Sequence, residues 1–162
     1  MTADSPNENP PKERLRRLDR IFSPVPIYFV TACTFNRRHI LANAAIHRAF
    51  LDFTEGGEAH STYVGAYVIM PDHVHLFVAL EEEVTLSGWM KSLKNSLSKS
   101  LRSMGHSRPH WQKGFFDHVL RSGESYAQKW EYVRDNPVRA GLVKTWEEWP
   151  FCGEIWPIEY RK

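Results

Sequence analysis

Apolar residues recur along this chain with the spacing of strands and helices, and they predict the element order β-α-β-β-α-β-α. Segments rich in β-branched and aromatic residues predict strands over 27–35, 62–70, 73–80 and 110–120. Helical spacing predicts helices over 43–53, 85–104 and 122–135. This order favours a small α+β domain, in which an antiparallel sheet carries helices packed on one face.

The first 20 residues differ from the rest, and they predict a flexible basic arm ahead of one domain over 21–162. Residues 1–11 are polar and rich in proline, without the apolar segment of a secretory signal. The arginines that follow are candidates for contacts with DNA phosphates, although a solvated arm has the same composition. These candidates are Arg14, Arg16, Arg17 and Arg20.

Composition limits the class of protein without selecting a function. The chain has 162 residues, of which 42% are hydrophobic, and this is enough for one sizeable core. The net charge of +2 permits a nucleic-acid partner but does not argue for one. Cys33 and Cys152 fit no metal or redox spacing, so we expect reduced thiols. No apolar run approaches ~18 residues, and we expect a cytoplasmic protein that spans no membrane.

The second predicted helix has an apolar stripe on one side and cations on the other. A face of this kind is usually only solvated, but it also suits contacts with phosphates. Its candidate DNA-binding residues are Lys91, Lys94, Lys99 and Arg102.

His73 and His75 begin the third predicted strand and carry the first candidate chemistry. Because side chains alternate along a strand, both imidazoles point to one face while Val74 points to the other. They lie ~7 Å apart along the strand, close enough to share one divalent ion. A bare pair of this kind also occurs as half-exposed strand histidines. The turn at Pro71 and Asp72 favours the metal, since it places the pair at a strand start near the sheet edge.

The last predicted helix separates a buried tyrosine from an exposed one. Its buried stripe consists of Tyr126, Trp130 and Val133. Tyr132 lies well off that stripe, in a polar row with Gln128 and Asn136. Its hydroxyl is therefore free for chemistry, and either carboxamide could offer an oxygen to a metal. An ordinary surface tyrosine fits the same geometry.

Three ordered segments resemble the single-tyrosine HUH transposases, and within them the REP-associated tyrosine transposases. The segment YVIMPDHVHLFVAL (67–80) resembles their histidine-hydrophobe-histidine strand. The segment WQKGFFDHVLRSGESYAQKWEYVRDNPVRAGLV (111–143) resembles the region of their tyrosine helix, and IYFVTACTFNRRHIL (27–41) their first strand. The resemblance covers roughly residues 14–150, and the joint occurrence of the segments is more specific than any one of them.

The resemblance implies a ferredoxin-like fold, which the RRM shares, and it implies roles for particular residues. His73 and His75 match the metal-binding pair, and Tyr132 matches the nucleophile. Asn136 falls where relatives place a third, polar metal ligand. His118 matches the pattern without a role, and a structural hydrogen bond is the expectation for it. The implied cofactor is Mg²⁺ or Mn²⁺, of which Mn²⁺ suits imidazole better.

The implied activity is cleavage and rejoining of single-stranded DNA near hairpin, REP-like repeats through a 5′-phosphotyrosine. The implied partner is single-stranded or hairpin DNA, the protein being a monomer or homodimer at the nucleoid. Two other functions stay open. A non-catalytic RRM-like binder is one, although residues 113–116 only begin like its RNP1 motif. A metal-dependent phosphodiesterase that uses water is the other, and it would need the histidines but not Tyr132.

Overall fold

The computed structural model describes residues 26–120 and 123–158. Five strands and four α-helices are defined within these ranges. The strands are β1 (Ile27–Cys33), β2 (Thr62–Ile69), β3 (His73–Leu80), β4 (Phe116–Leu120) and β5 (Cys152–Glu154). The helices are α1 (Ala44–Glu55), α2 (Leu86–Ser103), α3 (Gly123–Arg134) and α4 (Asn136–Arg139). The arginines of the predicted arm lie outside the described residues.

The strands form one antiparallel sheet in the order β4-β1-β3-β2-β5. The first four strands, with α1 and α2 as their crossovers, have the ferredoxin-like arrangement that the family resemblance implied. Each of the two crossover helices begins directly after a residue whose side chain caps it. Asn43 accepts a 2.9 Å hydrogen bond from the Ile46 N–H, and Thr85 accepts one of 3.2 Å from the Gly88 N–H.

Helices lie on both faces of the sheet. The crossover helices α1 and α2 share one face, where they cover the aliphatic side of β3 that includes Val74 and Leu76. The prediction of helices on one face therefore holds for these two. The last helix, α3, packs on the opposite face, where the Tyr126 and Phe77 ring centroids are 4.5 Å apart. Since the histidines point to this second face, α3 shares it with them.

A β-bulge in β2 holds α3 close to the sheet. The register of β2 on β3 shifts between Val64 and Tyr67, and the Ala66 N–H of the bulge donates a buried 3.0 Å hydrogen bond to Tyr126 Oη. Gly65 permits this approach, because a Cβ there would lie only 2.7 Å from the same oxygen. The buried Tyr126 hydroxyl therefore has a structural role in the bulge.

The fourth strand is shorter than predicted. The sequence pattern favoured 110–120, but β4 begins only at Phe116. The loop before it is held both by the end of β1, where the Gln112 N–H donates a 2.9 Å hydrogen bond to the Cys33 carbonyl, and by α2, where the Lys94 ammonium donates to the carbonyls of Gln112 and Gly114. Gly114 also has a φ of 78°, which a strand does not contain.

The tyrosine helix ends at Arg134, one residue earlier than predicted, and α4 begins at Asn136. Pro137 lies in the first turn of α4. An N–H at this position would have no partner within the helix, so the lack of one in proline costs no hydrogen bond. Asn136 therefore lies at the junction of two helices.

The aromatic tail packs back on the domain, as the sequence suggested. The Trp149 indole N–H donates a 3.0 Å hydrogen bond to the Ile69 carbonyl, and Trp156 is only 5% exposed. Both cysteines are free thiols. Within residues 26–120 and 123–158, no helix has the length and apolar character needed to cross a membrane.

Candidate active site

The two strand histidines lie side by side on the face of the sheet that α3 shares. The ring centroids of His73 and His75 are 4.6 Å apart, and the rings meet at 76°. Each pairs across the ladder with β1, where Cys33 faces His73 and Thr31 faces His75. The imidazoles are therefore adjacent and converge on a common space.

The orientation of His75 is set by two residues of β1. Its Nδ1 lies 2.7 Å from Thr31 Oγ1, and its ring stacks on Phe29 with centroids 5.3 Å apart. An Nδ1–H that donates to this hydroxyl leaves the lone pair on Nε2. The Nε2 atom has no hydrogen-bond partner among the residues that the structure describes. This is the arrangement that a metal-binding imidazole requires.

His73 is oriented by an arginine–aspartate pair. Its Nδ1 lies 2.7 Å from Asp72 Oδ1, and Asp72 Oδ2 accepts a 2.8 Å hydrogen bond from Arg37 Nε. Arg37 also donates from Nη1 to Cys33 Sγ at 3.2 Å. Its backbone has a φ of 52°, in the left-handed region. The loop after β1 therefore aims Arg37 back at the start of β3, and the Asp72 carboxylate fixes the His73 ring.

Both imidazoles are neutral at physiological pH. Burial lowers the pKa of His75 to about 3, and the positive charges of Lys129 and Arg139 contribute. Burial also lowers the pKa of His73, against the opposing effect of Asp72. Burial alone would raise the pKa of Asp72, but the hydrogen bonds with Arg37 and His73 outweigh it and keep that pKa below its usual value. A neutral imidazole is the form that binds a cation.

Tyr132 lies on the solvent side of α3 and is 63% exposed. The Arg139 guanidinium lies 3.9 Å from its ring centroid. On the preceding turn, the Lys129 ammonium lies 4.8 Å from the centroid of Phe29, whose ring stacks on His75. The charges of Lys129 and Arg139 both act on His75. The side of α3 that carries Tyr132 therefore borders the histidine pair.

Asn136 follows Tyr132 by one helical turn. Its Nδ2 donates a 3.0 Å hydrogen bond to the Val133 carbonyl, so the amide is oriented. Its Oδ1 has no hydrogen-bond donor among the described residues, and a carboxamide oxygen is a suitable ligand for a divalent cation. Gln128, the other carboxamide of the predicted polar row, is exposed on α3.

The donor atoms fit a divalent ion, although the fit depends on an oxygen ligand. In the described part of the chain, no three His, Cys, Asp or Glu side chains lie together as a metal-binding group. Two imidazoles, whose Nε2 atoms have no hydrogen-bond partner among the described residues, and one amide oxygen form a mixed set that suits Mn²⁺, and Mg²⁺ when water completes the shell.

The cations predicted on α2 lie across the sheet from the histidines. Lys91, Lys99 and Arg102 are exposed there. Lys94 differs from them, because its ammonium is bound to two backbone carbonyls and lies 6.0 Å from the Trp111 ring centroid. Lys94 therefore holds a loop, and contact of the four α2 cations with DNA stays a prediction.

The sequence pattern does not mark five residues near the histidines as site residues. They are Thr31, Arg37, Asp72, Lys129 and Arg139. Arg37 belongs to a basic loop that the sequence does show, but its partner Asp72 is 35 residues away. These groups are brought together by the pairing of β1 with β3 and by the packing of α3 on the sheet. No local sequence pattern encodes these long-range contacts.

His118 is exposed on β4, and its ring makes no hydrogen bond to another described residue. The structural hydrogen bond expected for it is therefore not formed with any of them. His118 pairs across the ladder with Phe29, so it points to the same face as the histidine pair.

This chain is similar in sequence to known transposases. A family model described as "Transposase IS200 like" matches residues 26–136. A Haemophilus influenzae protein assigned to the REP-associated tyrosine transposases is 24% identical over 159 residues, which cover 87% of this chain and 90% of the relative. The REP-associated tyrosine transposase of Escherichia coli is 29% identical over 91 residues, which cover 54% of this chain and 52% of that protein.

A solved structure has the same fold. It is a REP-associated tyrosine transposase bound to a REP hairpin, and it superposes with a TM-score of 0.66 at 24% identity. The superposition covers 85% of this chain and 86% of the other.

Proposed function

This chain belongs to the IS200-like transposase family, and on that premise we propose that it cleaves and rejoins single-stranded DNA beside hairpin, REP-like repeats through a 5′-phosphotyrosine. One observation carries the proposal. An exposed tyrosine, Tyr132, lies against a cation, Arg139, whose charge also acts on His75, one of a pair of oriented imidazoles. The Haemophilus influenzae relative, 90% of which is covered by the match, is assigned to the REP-associated tyrosine transposases. This assignment supports REP-like DNA as the substrate class.

We assign His73, His75 and Asn136 as the residues that would hold a divalent cation, Mg²⁺ or Mn²⁺. The hydrogen bonds of both Nδ1 atoms and of the Asn136 amide support this assignment, because they leave Nε2 and Oδ1 as the donor atoms. A cation held there would polarise the scissile phosphate and offset the charge that develops on it.

Tyr132 is assigned as the nucleophile. Its phenolic oxygen forms the new bond to phosphorus and loses its proton to solvent, while the bond from phosphorus to the 3′ oxygen breaks. The leaving 3′ oxygen takes up a proton and becomes a free hydroxyl. The phosphodiester energy is kept in the phosphotyrosine, so an incoming 3′-hydroxyl can reverse the step. This explains the need for a tyrosine where a nuclease uses water.

The charges around the site support a DNA backbone at this face. Arg37, Lys129 and Arg139 surround the histidines and suit the phosphates next to the cut. The cations of α2 (Lys91, Lys99, Arg102) are on the opposite face, so we expect them to affect DNA affinity and not the rate of cleavage. The arm arginines (Arg14, Arg16, Arg17, Arg20) are proposed as further phosphate contacts.

The two tyrosines of α3 provide a matched experiment. The purified protein is incubated with Mn²⁺ and labelled REP-like hairpin DNA that carries single-stranded flanks, and denaturing gels measure cleavage and protein–DNA adduct. We expect Tyr132→Phe to abolish both without changing stability, because the hydroxyl is exposed. Tyr126→Phe should keep the adduct but lower the free energy of unfolding by about 1–3 kcal/mol, because it leaves the Ala66 N–H unpaired.

The same experiment separates the rival functions. If the protein is a phosphodiesterase that uses water, the Tyr132→Phe variant will still cleave DNA. If it is an RRM-like binder, every variant, like the wild type, will bind DNA without cleaving it. Either result would overturn the proposed mechanism.

A further inference from the structure

We propose that Phe116 and His118 form a stacking platform for unpaired bases of the DNA strand that enters the site. The inference rests on the proposed function, since it needs a single-stranded substrate. It adds a binding surface on β4, the edge strand next to β1, to the residues assigned above.

The pairing register places the platform on the histidine face. Thr31 pairs with His75 on one side and with Phe116 on the other, so these side chains form one row across three strands. His118 belongs to the next row, beside Phe29. Because neighbouring strands are ~4.8 Å apart, Phe116 is roughly 10 Å from His75 along the row. A base attached near a phosphate at the histidines can therefore reach the Phe116 ring.

The platform is exposed although it lies in a sheet. Phe116 is 69% exposed, and it is the most exposed large hydrophobic side chain in the described ranges. The His118 side chain beside it is also exposed. The two residues are separated by two positions along β4, so they are ~7 Å apart and point to one side. Phe and His rings in this setting are typical surfaces for stacking unpaired bases.

Charge favours DNA as the occupant of this surface. The Lys129 ammonium lies over the Phe29 ring, which is the cross-strand neighbour of His118. The platform is therefore bordered by a cation on the helix side and leads directly to the histidine pair. A strand of DNA needs this combination of stacking surface and backbone cations. The alternative occupant is a second copy of the chain, which would pair with the β4 edge through backbone hydrogen bonds. The test below detects such a dimer by sedimentation.

The test compares substitutions on the two sides of one strand. Phe116→Ala and His118→Ala remove the platform, while Val119→Ala is the matched control, because Val119 is 40% exposed and points to the opposite face. Affinity for a labelled hairpin with single-stranded flanks is measured by fluorescence anisotropy without metal, and thermal unfolding verifies the fold. We expect binding about 5- to 100-fold weaker for Phe116→Ala, recovery in Phe116→Trp, and no change in the control.

A second measurement identifies the nucleotide. Iododeoxyuridine is placed at single positions of the flanks, and photocrosslinked peptides are mapped by mass spectrometry. Crosslinks to the peptide with Phe116 and His118, from positions next to the cut, would support the platform. Equal affinity of Phe116→Ala and Val119→Ala would overturn it, and so would a dimer in sedimentation that Phe116→Ala converts to monomer. If the wild type forms no covalent adduct with DNA, the proposed function is contradicted but the platform is not, because DNA binding and crosslinking are measured separately.

Discussion

Thr31 and His75 lie 44 residues apart in the chain, and the Thr31 hydroxyl oxygen is 2.7 Å from His75 Nδ1. The pair is built into the ladder between β1 and β3, where the two residues face each other. The threonine fixes the direction of the ring, so that Nε2 points into the site, and a hydroxyl that accepts from Nδ1–H leaves the Nε2 lone pair for a cation. A β-branched residue of the first strand thus controls a candidate metal ligand of the third.

Replacement of Thr31 by Val removes this hydrogen bond with little change in shape. We expect the affinity for Mn²⁺ to fall by about 10- to 100-fold, because the imidazole loses the partner that orients it. Titration calorimetry with MnCl₂ measures the affinity, and the Mn²⁺ concentration for half-maximal adduct gives a second value. Thr31→Ser keeps the hydroxyl and should bind as the wild type does. Wild-type affinity in Thr31→Val would show that this bond does not orient the ligand.

Arg139 should act on the chemical step through Tyr132. We expect Arg139→Ala to slow adduct formation at saturating DNA by about tenfold or more, because the phenol loses the cation that lies 3.9 Å from its ring. Arg139→Lys should recover part of the rate, since an ammonium keeps the charge but not the planar stacking group. Single-turnover gel assays measure the rate. Arg102→Ala, on the far face, is the control, and a similar loss there would contradict the assignment.

The buried His75 predicts how the metal-free protein responds to acid. Its pKa is about 3 in the folded protein, against an ordinary value of 6.5. Between these values the unfolded chain binds more protons than the folded protein, so stability falls as the pH falls. The contribution is fully present above about pH 6.5 and is lost progressively toward about pH 3.

Urea unfolding in EDTA at about pH 7.5 and pH 5 measures this loss. His75→Gln should lose less stability between the two pH values than the wild type, since glutamine does not titrate. His47, His73 and Asp72 contribute to both proteins, and the comparison cancels them. An equal loss in both proteins would show that His75 is not held neutral by the fold.

Much of the fold was predictable because it is encoded in local periodicity. Strand β3 was predicted with its observed bounds, and the caps Asn43 and Thr85 mark the starts of α1 and α2. The start of β4 was not predictable, because the segment before it has the composition of a strand. Its carbonyls are nevertheless bound by Lys94, which lies on a helix about 20 residues earlier.

The candidate site was predictable only in part. The positions of His73, His75 and Tyr132 follow from alternation along a strand and from the helical wheel. The groups that orient or charge them do not, because Asp72–Arg37 and His75–Thr31 depend on strand register. The placement of α3 on the second face depends on a bulge and on Gly65, a single residue without a side chain to clash.

The division of the molecule into two faces has a practical consequence. Since α2 is separated from the histidines by the whole thickness of the sheet, its outer positions offer an attachment point for a fluorophore or a surface tether. Ser92 and Asn95 are exposed there and belong neither to the candidate site nor to the candidate DNA contacts. A single molecule anchored through a cysteine at either position would present its reactive side to a freely diffusing DNA strand.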